Sequence, residues 1–343
     1  MTARSVAVVI PSYNHGRFLA ATLASVFSQT LPPRELLVID DGSTDDSVRV
    51  IERAFAGYSG PIHCRLSVRA NRGISATRNE LVAATTADCV AFLDSDDLYA
   101  PRRLECMLAA APPSGHWFAF SGIDFLCDEG AGTLPDALDD WHEAYRLKLG
   151  QGMSFPTAGF ALLRSNIAIS ASNFVISRSL LDAVGGFDGR INICQDWDVA
   201  VAALRFVEPT FVPQPLLTYR IHANNTSRDA AMTATAEIDL VIEKLCRWLL
   251  EPTANPVAPT PRNWPHYFRI FAHLSTSAAG RSFASRLPPG VLTAAAAPHA
   301  APEPVETAAI RGLIAAARSP EEFTSMPWDE LMHRCHQTWS GSP

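Results

Sequence analysis

The chain begins with a repeated alternation of short apolar runs and longer amphipathic segments. Residues 5–10 are a continuous valine-rich run, which is typical of a strand buried on both faces. Apolar residues then recur at helical spacing from residue 18 to 27. Further runs at 36–39 and 62–68 are again followed by helical patterns. Strand, polar turn and helix in this repeated order predict a parallel α/β sheet.

Polar clusters stand at the C-terminal ends of the predicted strands. They are Pro11 to Asn14, Asp40 and Asp41, Asn71 to Asn79, and Asp94 to Asp97, the last after an apolar run at 89–93. Because the C-terminal ends of parallel strands meet at one edge of a sheet, we expect these clusters to lie together. That edge is the usual position of a ligand crevice in an open α/β sheet.

The acidic cluster after the fourth run suits a cation. Asp94 and Asp96 are two positions apart, so in extended backbone both can face one ligand. Mg²⁺ prefers a few carboxylates together with phosphate oxygens. The alternative is a turn whose aspartates cap a helix over residues 98–111, and this stretch alone leaves both interpretations open.

The second and third clusters suit a nucleotide. Ser43 and Asp46 predict a capping box for the following helix. That box leaves Asp40 and Asp41 unexplained, and a carboxylate there can accept a hydrogen bond from a base or a ribose. In the third cluster, Gly73 permits close backbone approach, and Arg72 and Arg78 could neutralise phosphate. A solvated helix start is the alternative for the two arginines.

Composition narrows the functional classes. The chain has 343 residues, 48% hydrophobic residues and a formal net charge of −7, which argues against non-specific binding to nucleic acid. Its 7 cysteines include no C-x-x-C pair and predict reduced thiols in a cytoplasmic protein. No apolar run reaches transmembrane length, so membrane contact is expected to be peripheral at most. No G-x-G-x-x-G follows the first strand and no P-loop occurs, which argues against NAD and Walker-type ATP binding.

Taken together, the clusters resemble the inverting family 2 glycosyltransferases of the GT-A fold. The stretches that carry the resemblance are Val8 to Asn14, Asp40 to Asp45, Asn71 to Gly73 with Arg78 and Asn79, and Leu93 to Asp97. Each stretch is modest alone, but all four occur in order on consecutive βα units. The resemblance implies a GT-A nucleotide-sugar-binding fold, with a mostly parallel central sheet flanked by helices and a helical C-terminal extension.

The resemblance also implies roles for individual residues. Pro11, Tyr13 and Asp41 would border the uracil or thymine of a nucleoside diphosphate sugar. The full set of expected donor-binding residues is Pro11, Tyr13, Asn14, Asp41, Asn71, Gly73, Arg78, Asp94 and Ser95. Asp94-Ser95-Asp96 would be the D-x-D motif, with Asp96 nearest a Mg²⁺ or Mn²⁺ ion that bridges the diphosphate and stabilises its departure. His222 resembles a family histidine that approaches the metal or diphosphate, although a lone histidine is more often structural.

The catalytic base is expected further along the chain. Family members carry a Glu-Asp pair, often followed by Trp, and the Asp is the base. This chain has Gln195 in place of the Glu and retains Asp196 and Trp197. The resemblance therefore implies that Asp196 is the base, and a helix-capping role is the alternative.

The resemblance ends near residue 227. We predict a catalytic domain over 1–228 and a helical extension over 229–343 with Pro/Ala-rich linkers. Within the extension, residues 264–287 are an amphipathic candidate, either packed on protein or lying on the inner face of a membrane.

The expected activity is metal-dependent hexosyl transfer, with inversion, from a UDP- or dTDP-linked sugar to an acceptor hydroxyl. The acceptor would be a sugar, glycan or lipid-linked molecule in the synthesis of cell-surface polysaccharide or glycoconjugate, and a homo-oligomer stays open. One alternative is a sugar-nucleotide pyrophosphorylase, which should carry a Gly-rich basic loop where residues 11–17 stand. The other is a non-catalytic nucleotide-sugar-binding protein of the same fold, against which the intact Asp94, Asp96 and Asp196 argue.

Overall fold

The protein is described from a computed structural model, and a mixed sheet forms its centre. The description covers residues 4–128, 142–150, 157–222, 225, 231–249 and 251–264. The strands of this part are β1 (Val6–Ser12), β2 (Glu35–Asp40), β3 (His63–Val68), β4 (Cys89–Phe92), β5 (Leu98–Tyr99), β6 (Phe118–Cys127), β7 (Val175–Ser177) and β8 (Thr210–Ile221).

Helices alternate with the strands along the described residues. They are α1 (Gly16–Phe27), α2 (Ser47–Ala56), α3 (Ile74–Ala83), α4 (Arg103–Ala109), α5 (Ala158–Arg164), α6 (Arg178–Val184), α7 (Gln195–Ala203) and α8 (Ala231–Trp248). Residues 142–150 are also helical, and Ala171–Asn173 form a short 3-10 helix.

The strand order is β3-β2-β1-β4-β7-β6-β8-β5. The first four of these strands run parallel to one another, as the βα repeats predict. Strand β7 is antiparallel to both β4 and β6, whereas β6 and β8 are parallel. Because β1, β2 and β4 are parallel, their C-terminal ends open onto one edge of the sheet. The predicted α/β architecture is thereby confirmed, with two antiparallel strands, β7 and β5, in its second half.

The core strands are as apolar as their sequences indicate. All seven residues of β1 and all six of β2 are buried. Burying an aliphatic side chain contributes about 1.5–3 kcal/mol, so these strands are rigid supports for the residues at their ends. Strand β3 lies at the edge of the sheet and is largely exposed, with Val68 at 57%.

Two local interpretations do not hold. In the alternative for Asp94 to Asp97, a helix covers residues 98–111, but Leu98 and Tyr99 pair with Thr218 and Leu217 of β8, and α4 begins only at Arg103. Asp94 to Asp97 therefore do not cap a helix.

The capping box of Ser43 and Asp46 is also not formed. Asp46 makes no capping hydrogen bond with its side chain, and the Ser43 hydroxyl donates to Asp40 at 2.7 Å instead. The side chain of Asp45 instead accepts a hydrogen bond at the start of α2, from the backbone N–H of Ser47 at 2.9 Å.

Strand β8 corrects another expectation. Pro213 and Pro215 predict an edge strand, yet β8 lies between β6 and β5. The strand accommodates the prolines because its register with β6 shifts on both sides of Gly122. A Cβ at Gly122 would lie 2.7 Å from the carbonyl oxygen of Pro213, so only glycine fits this irregularity.

The chain divides into two compact units. The first comprises residues 1–146, 168–203 and 209–237, and it contains the sheet and the strand-end clusters. The second comprises 147–167, 204–208 and 238–343, in which the rings of Phe160 and Trp264 meet edge to face at 5.2 Å.

The predicted domain boundary at residue 228 stays a prediction, and the expected structure beyond residue 264 lies outside the described residues. In the described part of the chain, no helix combines the length and apolar character needed to cross a membrane. No disulfide joins the cysteines of the described residues.

Candidate active site

A cavity of about 550 Å³ opens where β1, β2 and β4 end. The structure brings nearly all of the predicted site residues to its wall: Pro11, Tyr13, Asn14, Asp41, Asn71, Gly73, Arg78, Asp94, Ser95, Asp96 and Asp196. His222 lies directly behind this wall and contacts Asp96. The individual roles assigned to these residues stay predictions, but they share one site.

Asp40 and Asp41 end the second strand and differ in what they do. Asp40 is fully buried and is held by Ser12, whose hydroxyl donates at 3.1 Å, and by Ser43. Asp40 thus shapes the turn and does not line the cavity.

Asp41 faces the cavity and fixes the loop that follows β3. It accepts hydrogen bonds from the backbone N–H groups of Arg72 at 2.8 Å and Gly73 at 2.9 Å, and it pairs with the Arg69 guanidinium. A carboxylate has about four acceptor positions, so three donors leave room for one more. Gly73 has φ +89°, which explains why a glycine stands at this turn.

The first turn of the site is built around Asn14, which adopts φ 54°. Its side-chain oxygen accepts the backbone N–H of Thr44 at 2.8 Å, so the turns after β1 and β2 are joined. Tyr13, beside it, is 49% exposed on the cavity wall. This ring is therefore accessible to a planar ligand.

Arg78 connects two motifs that are far apart in sequence. Its guanidinium is 2% exposed and donates to Asp94 through one nitrogen and to Gln195 through another. The ring of Phe187 lies 5.5 Å from the same guanidinium. Arg78 consequently orients Asp94 and Gln195, while its predicted contact with a donor phosphate stays a prediction. Arg72 is largely exposed and lies 3.5 Å from Glu80.

Asp94 is also fixed from the other side of the cavity. The Ser170 hydroxyl donates to its carboxylate at 3.0 Å, and its backbone N–H donates to Ser172 at 2.8 Å. Ile169, next to Ser170, lines the cavity with φ 68°, an uncommon conformation for a β-branched residue. The acidic motif therefore approaches the cavity through a rigid loop.

Asp96 lies among two histidines. Its Oδ2 atom is 2.9 Å from Nε2 of His222 and 3.9 Å from Nδ1 of His15. Burial alone would raise the pKa of the Asp96 carboxyl, but the hydrogen bond from His222 and the charges of both histidines outweigh burial and lower this pKa. Asp96 is thus a carboxylate at neutral pH, as a metal ligand must be.

Asp97 differs from its two acidic neighbours. It is 1% exposed, and its Oδ1 atom accepts the backbone N–H of Arg220 at 2.9 Å. Burial, followed by the charges of Asp96 and Asp94, raises the pKa of Asp97 well above its ordinary value. Asp97 therefore takes up a proton more readily than an exposed aspartate does.

Asp196 lies in the first turn of α7 and reaches the cavity wall. It is 7% exposed, and its Oδ1 atom accepts the backbone N–H of Trp197 at 2.7 Å. The carboxylate thus stands at the start of a helix and at the cavity together, and its role as the base stays a prediction.

Comparison with known proteins decides the family. The model of "Glycosyl transferase family 2" matches residues 7–170, which include the first three strand-end clusters and the acidic motif. Over residues 7–170 the chain matches glycosyltransferase family 2.

The curated relatives of this glycosyltransferase agree. An uncharacterized glycosyltransferase of Nostoc sp. (strain PCC 7120) is 28% identical over 240 residues, which cover 68% of this chain and 69% of the relative. The poly(ribitol-phosphate) beta-N-acetylglucosaminyltransferase TarP of Staphylococcus aureus is 35% identical over 106 residues, 30% of this chain and 31% of the relative. After the Nostoc protein, the next relatives are matched over 31% to 49% of their own length.

Solved structures show the same fold. TarS of S. aureus (residues 1–349) in complex with UDP-GlcNAc has a TM-score of 0.57 at 17% identity, covering 98% of this chain and 87% of that one. A mannosyltransferase of Pyrobaculum calidifontis in complex with GDP-Man and Mn²⁺ has a TM-score of 0.55 at 16% identity, covering 99% and 87%. The GT-A fold is therefore confirmed. The family match and the curated relatives favour a transferase over a pyrophosphorylase.

Sequence reasoning missed two residues of the glycosyltransferase site. One is His15, which follows the first polar turn and lines the cavity. Its position directly after β1 was the one sign in the sequence that it belongs to the site. Glu237 in α8 is 7% exposed and accepts the backbone N–H groups of Asn192, Ile193 and Cys194 at 2.7–2.9 Å. These residues lead directly into α7, and no sequence motif pointed to Glu237.

Proposed function

We propose that this family 2 glycosyltransferase transfers a sugar, with inversion, from a UDP- or dTDP-linked donor to an acceptor hydroxyl. One observation carries the proposal: Tyr13 and Asp41, the Asp94-Ser95-Asp96 motif and Asp196 all face a single cavity. A nucleotide-sugar donor needs a place for its base, its diphosphate and its reacting carbon, and these groups supply three such places in one enclosure.

The base of the donor is assigned to the part of the cavity between Tyr13 and Asp41. The exposed Tyr13 ring can stack on a pyrimidine. The acceptor position left on Asp41 suits the imide N–H of uracil or thymine, which is a hydrogen-bond donor. Because Asp41 also holds the backbone at Arg72 and Gly73, binding of the base and the position of that loop are linked.

The diphosphate is assigned to the acidic motif. Asp96, with His222 beside it, offers one oxygen and one nitrogen 2.9 Å apart, a spacing that suits two ligands of one divalent ion. Asp96 and His222 would hold Mg²⁺ or Mn²⁺, and the ion would supply positive charge that stabilises the departing diphosphate. Asp94 is kept in place for this task by Arg78 and Ser170.

Asp196 is assigned the role of general base. The acceptor oxygen forms a bond to the anomeric carbon while the bond from that carbon to the diphosphate breaks, and the diphosphate leaves with the electron pair. The acceptor proton passes to the Asp196 carboxylate. Attack opposite the leaving group inverts the anomeric centre in a single step, and no covalent glycosyl-enzyme forms. Gln195, held by Arg78, stays neutral beside the base.

We assign the acceptor to the sugars, glycans or lipid-linked molecules of cell-surface polysaccharide or glycoconjugate synthesis. The support is similarity to relatives such as TarP, a poly(ribitol-phosphate) beta-N-acetylglucosaminyltransferase. Asp196 lines the open cavity, so an acceptor hydroxyl that enters the cavity can reach this carboxylate.

The test is a panel of UDP-, dTDP- and GDP-linked sugars with varied acceptors. Release of nucleoside diphosphate is measured, and the anomeric configuration of the product is determined by NMR. The proposal predicts turnover of a UDP- or dTDP-linked donor with inversion. Turnover of GDP-linked donors alone would contradict the assigned base, a retained anomer would contradict the mechanism, and binding without turnover would favour the non-catalytic alternative.

A further inference from the structure

We propose that His15, Asp96 and His222 together form a three-ligand cation site that selects first-row transition ions over Mg²⁺. The site would hold Mn²⁺ or Co²⁺ before any nucleotide binds. This inference rests on the proposed function, because the ion would assist departure of the same diphosphate.

The distances among the three residues fit one shared ion. One nitrogen or oxygen from each residue lies within 4.8 Å of the others. The Asp96 Oδ2 atom is 2.9 Å from His222 Nε2 and 3.9 Å from His15 Nδ1. Ligands bound at about 2.1 Å are about 3.0 Å apart at right angles and about 4.2 Å apart on opposite sides of the ion. The separation of 3.9 Å lies within that range, and the separation of 2.9 Å lies at its lower end.

His15 is held where it can act as the third ligand. Its Nδ1 atom is 2.8 Å from the hydroxyl oxygen of Ser95, and its backbone N–H donates to Ser47 at 3.2 Å. The hydrogen bond to Ser95 holds the ring in place, and because a serine hydroxyl can rotate to another partner, the nitrogen can exchange this bond for one to an ion. The Ser95 of the acidic motif thus acquires a function in orienting His15.

His222 is anchored independently. Its backbone N–H donates to the side chain of Asn225 at 2.5 Å, and its ring packs on Phe18 at 4.7 Å between centroids. The three potential ligands come from the turn after β1, the loop after β4 and the end of β8. Three separate elements therefore converge on one carboxylate oxygen, and little rearrangement is needed to receive an ion.

The chemistry of the ligands determines the preference among ions. Mg²⁺ binds oxygen, demands near-octahedral geometry and usually keeps several waters, whereas imidazole suits first-row transition ions. Two imidazoles and one carboxylate therefore favour first-row transition ions over Mg²⁺, with affinity rising from Mn²⁺ to Co²⁺ in the usual series. A site with a single carboxylate would need phosphate oxygens of the nucleotide as further ligands. With three protein ligands, the ion can bind without them.

The inference is tested by metal binding without nucleotide. The purified full-length protein, freed of metal with a chelator, is titrated with Mn²⁺ by electron paramagnetic resonance and with Co²⁺ by visible absorption. We expect one ion per chain, and an excess of Mg²⁺ should fail to displace it. Displacement by equimolar Mg²⁺, or absence of Mn²⁺ and Co²⁺ binding, would overturn the proposal.

His15 provides the decisive variants because its side chain is 24% exposed and so tolerates substitution better than the buried His222. Loss of an outer partner of a metal ligand typically weakens binding about 10–100-fold, so loss of a ligand in His15→Gln should weaken Mn²⁺ binding by at least that factor. His15→Asp supplies oxygen in place of nitrogen and should admit Mg²⁺. His63→Gln, at an exposed position on β3, is the matched control and should bind Mn²⁺ as the parent does.

Thermal unfolding of each variant shows whether the protein is folded when binding is measured. Unchanged Mn²⁺ affinity in a folded His15→Gln variant would overturn the three-ligand site, even if His222 and Asp96 bound the ion. The outcome is separate from that of the proposed function, since Mn²⁺ binding without any sugar transfer would leave this inference standing and remove the proposed activity.

Discussion

Replacing Glu237 with glutamine tests whether helix α8 positions the catalytic base. The Glu237 carboxylate accepts the backbone N–H groups of the three residues that precede α7, and Asp196 lies in the first turn of that helix. We predict that Glu237→Gln lowers kcat for sugar transfer and leaves donor affinity nearly unchanged, because the donor contacts other elements of the site.

The size of the effect follows from the contacts. Oε1 of Glu237 accepts from Asn192 at 2.9 Å, and Oε2 accepts from Ile193 at 2.7 Å and Cys194 at 2.9 Å. An amide has one oxygen, so its NH₂ group must face at least one of these donors. A hydrogen bond to a charged group contributes about 1.5–3 kcal/mol, and the best amide orientation should cost roughly that amount in stability. Because a displacement of about 1 Å in a catalytic group can cost ~10²-fold, kcat should fall by about 10- to 100-fold.

The assay combines kcat for transfer, donor affinity by calorimetry and thermal unfolding. The matched control is Glu243→Gln on the same helix, where an exposed carboxylate pairs with Arg247 and should contribute about 0–1 kcal/mol. If Glu237 acts through Asp196, adding Glu237→Gln to Asp196→Asn should change kcat little further. The reasoning is refuted if Glu237→Gln matches the control, or if donor affinity falls as far as kcat.

Two further substitutions test other parts of the account. Asp41→Asn should raise the donor KM, because an amide cannot accept from both Arg72 and Gly73 and still receive the base, and an unchanged donor affinity in calorimetry would remove Asp41 from the site. In the second unit, burial raises the pKa of Glu208 to about 7, whereas an unfolded chain has about 4.3. The native state therefore holds this proton more tightly, so its contribution to stability is full below about pH 4.3 and is lost as the pH rises to about 7. Glu208→Gln should lack that decline in thermal unfolding between pH 5 and 8, and parallel curves for the two proteins would contradict it.

The sequence predicted the strand-end site well because its determinants are local. The apolar runs of β1, β2 and β4 identify buried strands without knowledge of their partners, and the polar residues after them must then share an edge. The family motifs supported the same grouping. The cavity confirms that these residues lie together, although their separate roles await measurement.

The errors arose where partners distant in sequence decide the structure. Leu98 and Tyr99 look like a helix start, but pairing with β8, more than 100 residues later, makes them a strand. Ser43 fits a capping pattern, yet the buried Asp40 carboxylate offers it a better partner. Glu237 carries no local signal, because its function depends on three backbone N–H groups more than 40 residues earlier.

The central claim is that Asp196 accepts the acceptor proton in a metal-assisted inverting transfer. The most direct measurement is kcat for transfer, together with donor affinity, in Asp196→Asn. The substitution keeps the shape of the side chain and removes its basicity, so we predict that kcat falls by ~10²–10⁴-fold with donor affinity nearly unchanged. Asparagine caps a helix about as well as aspartate, so a helix-capping role predicts a nearly silent substitution. A fully active Asp196→Asn enzyme would contradict the account.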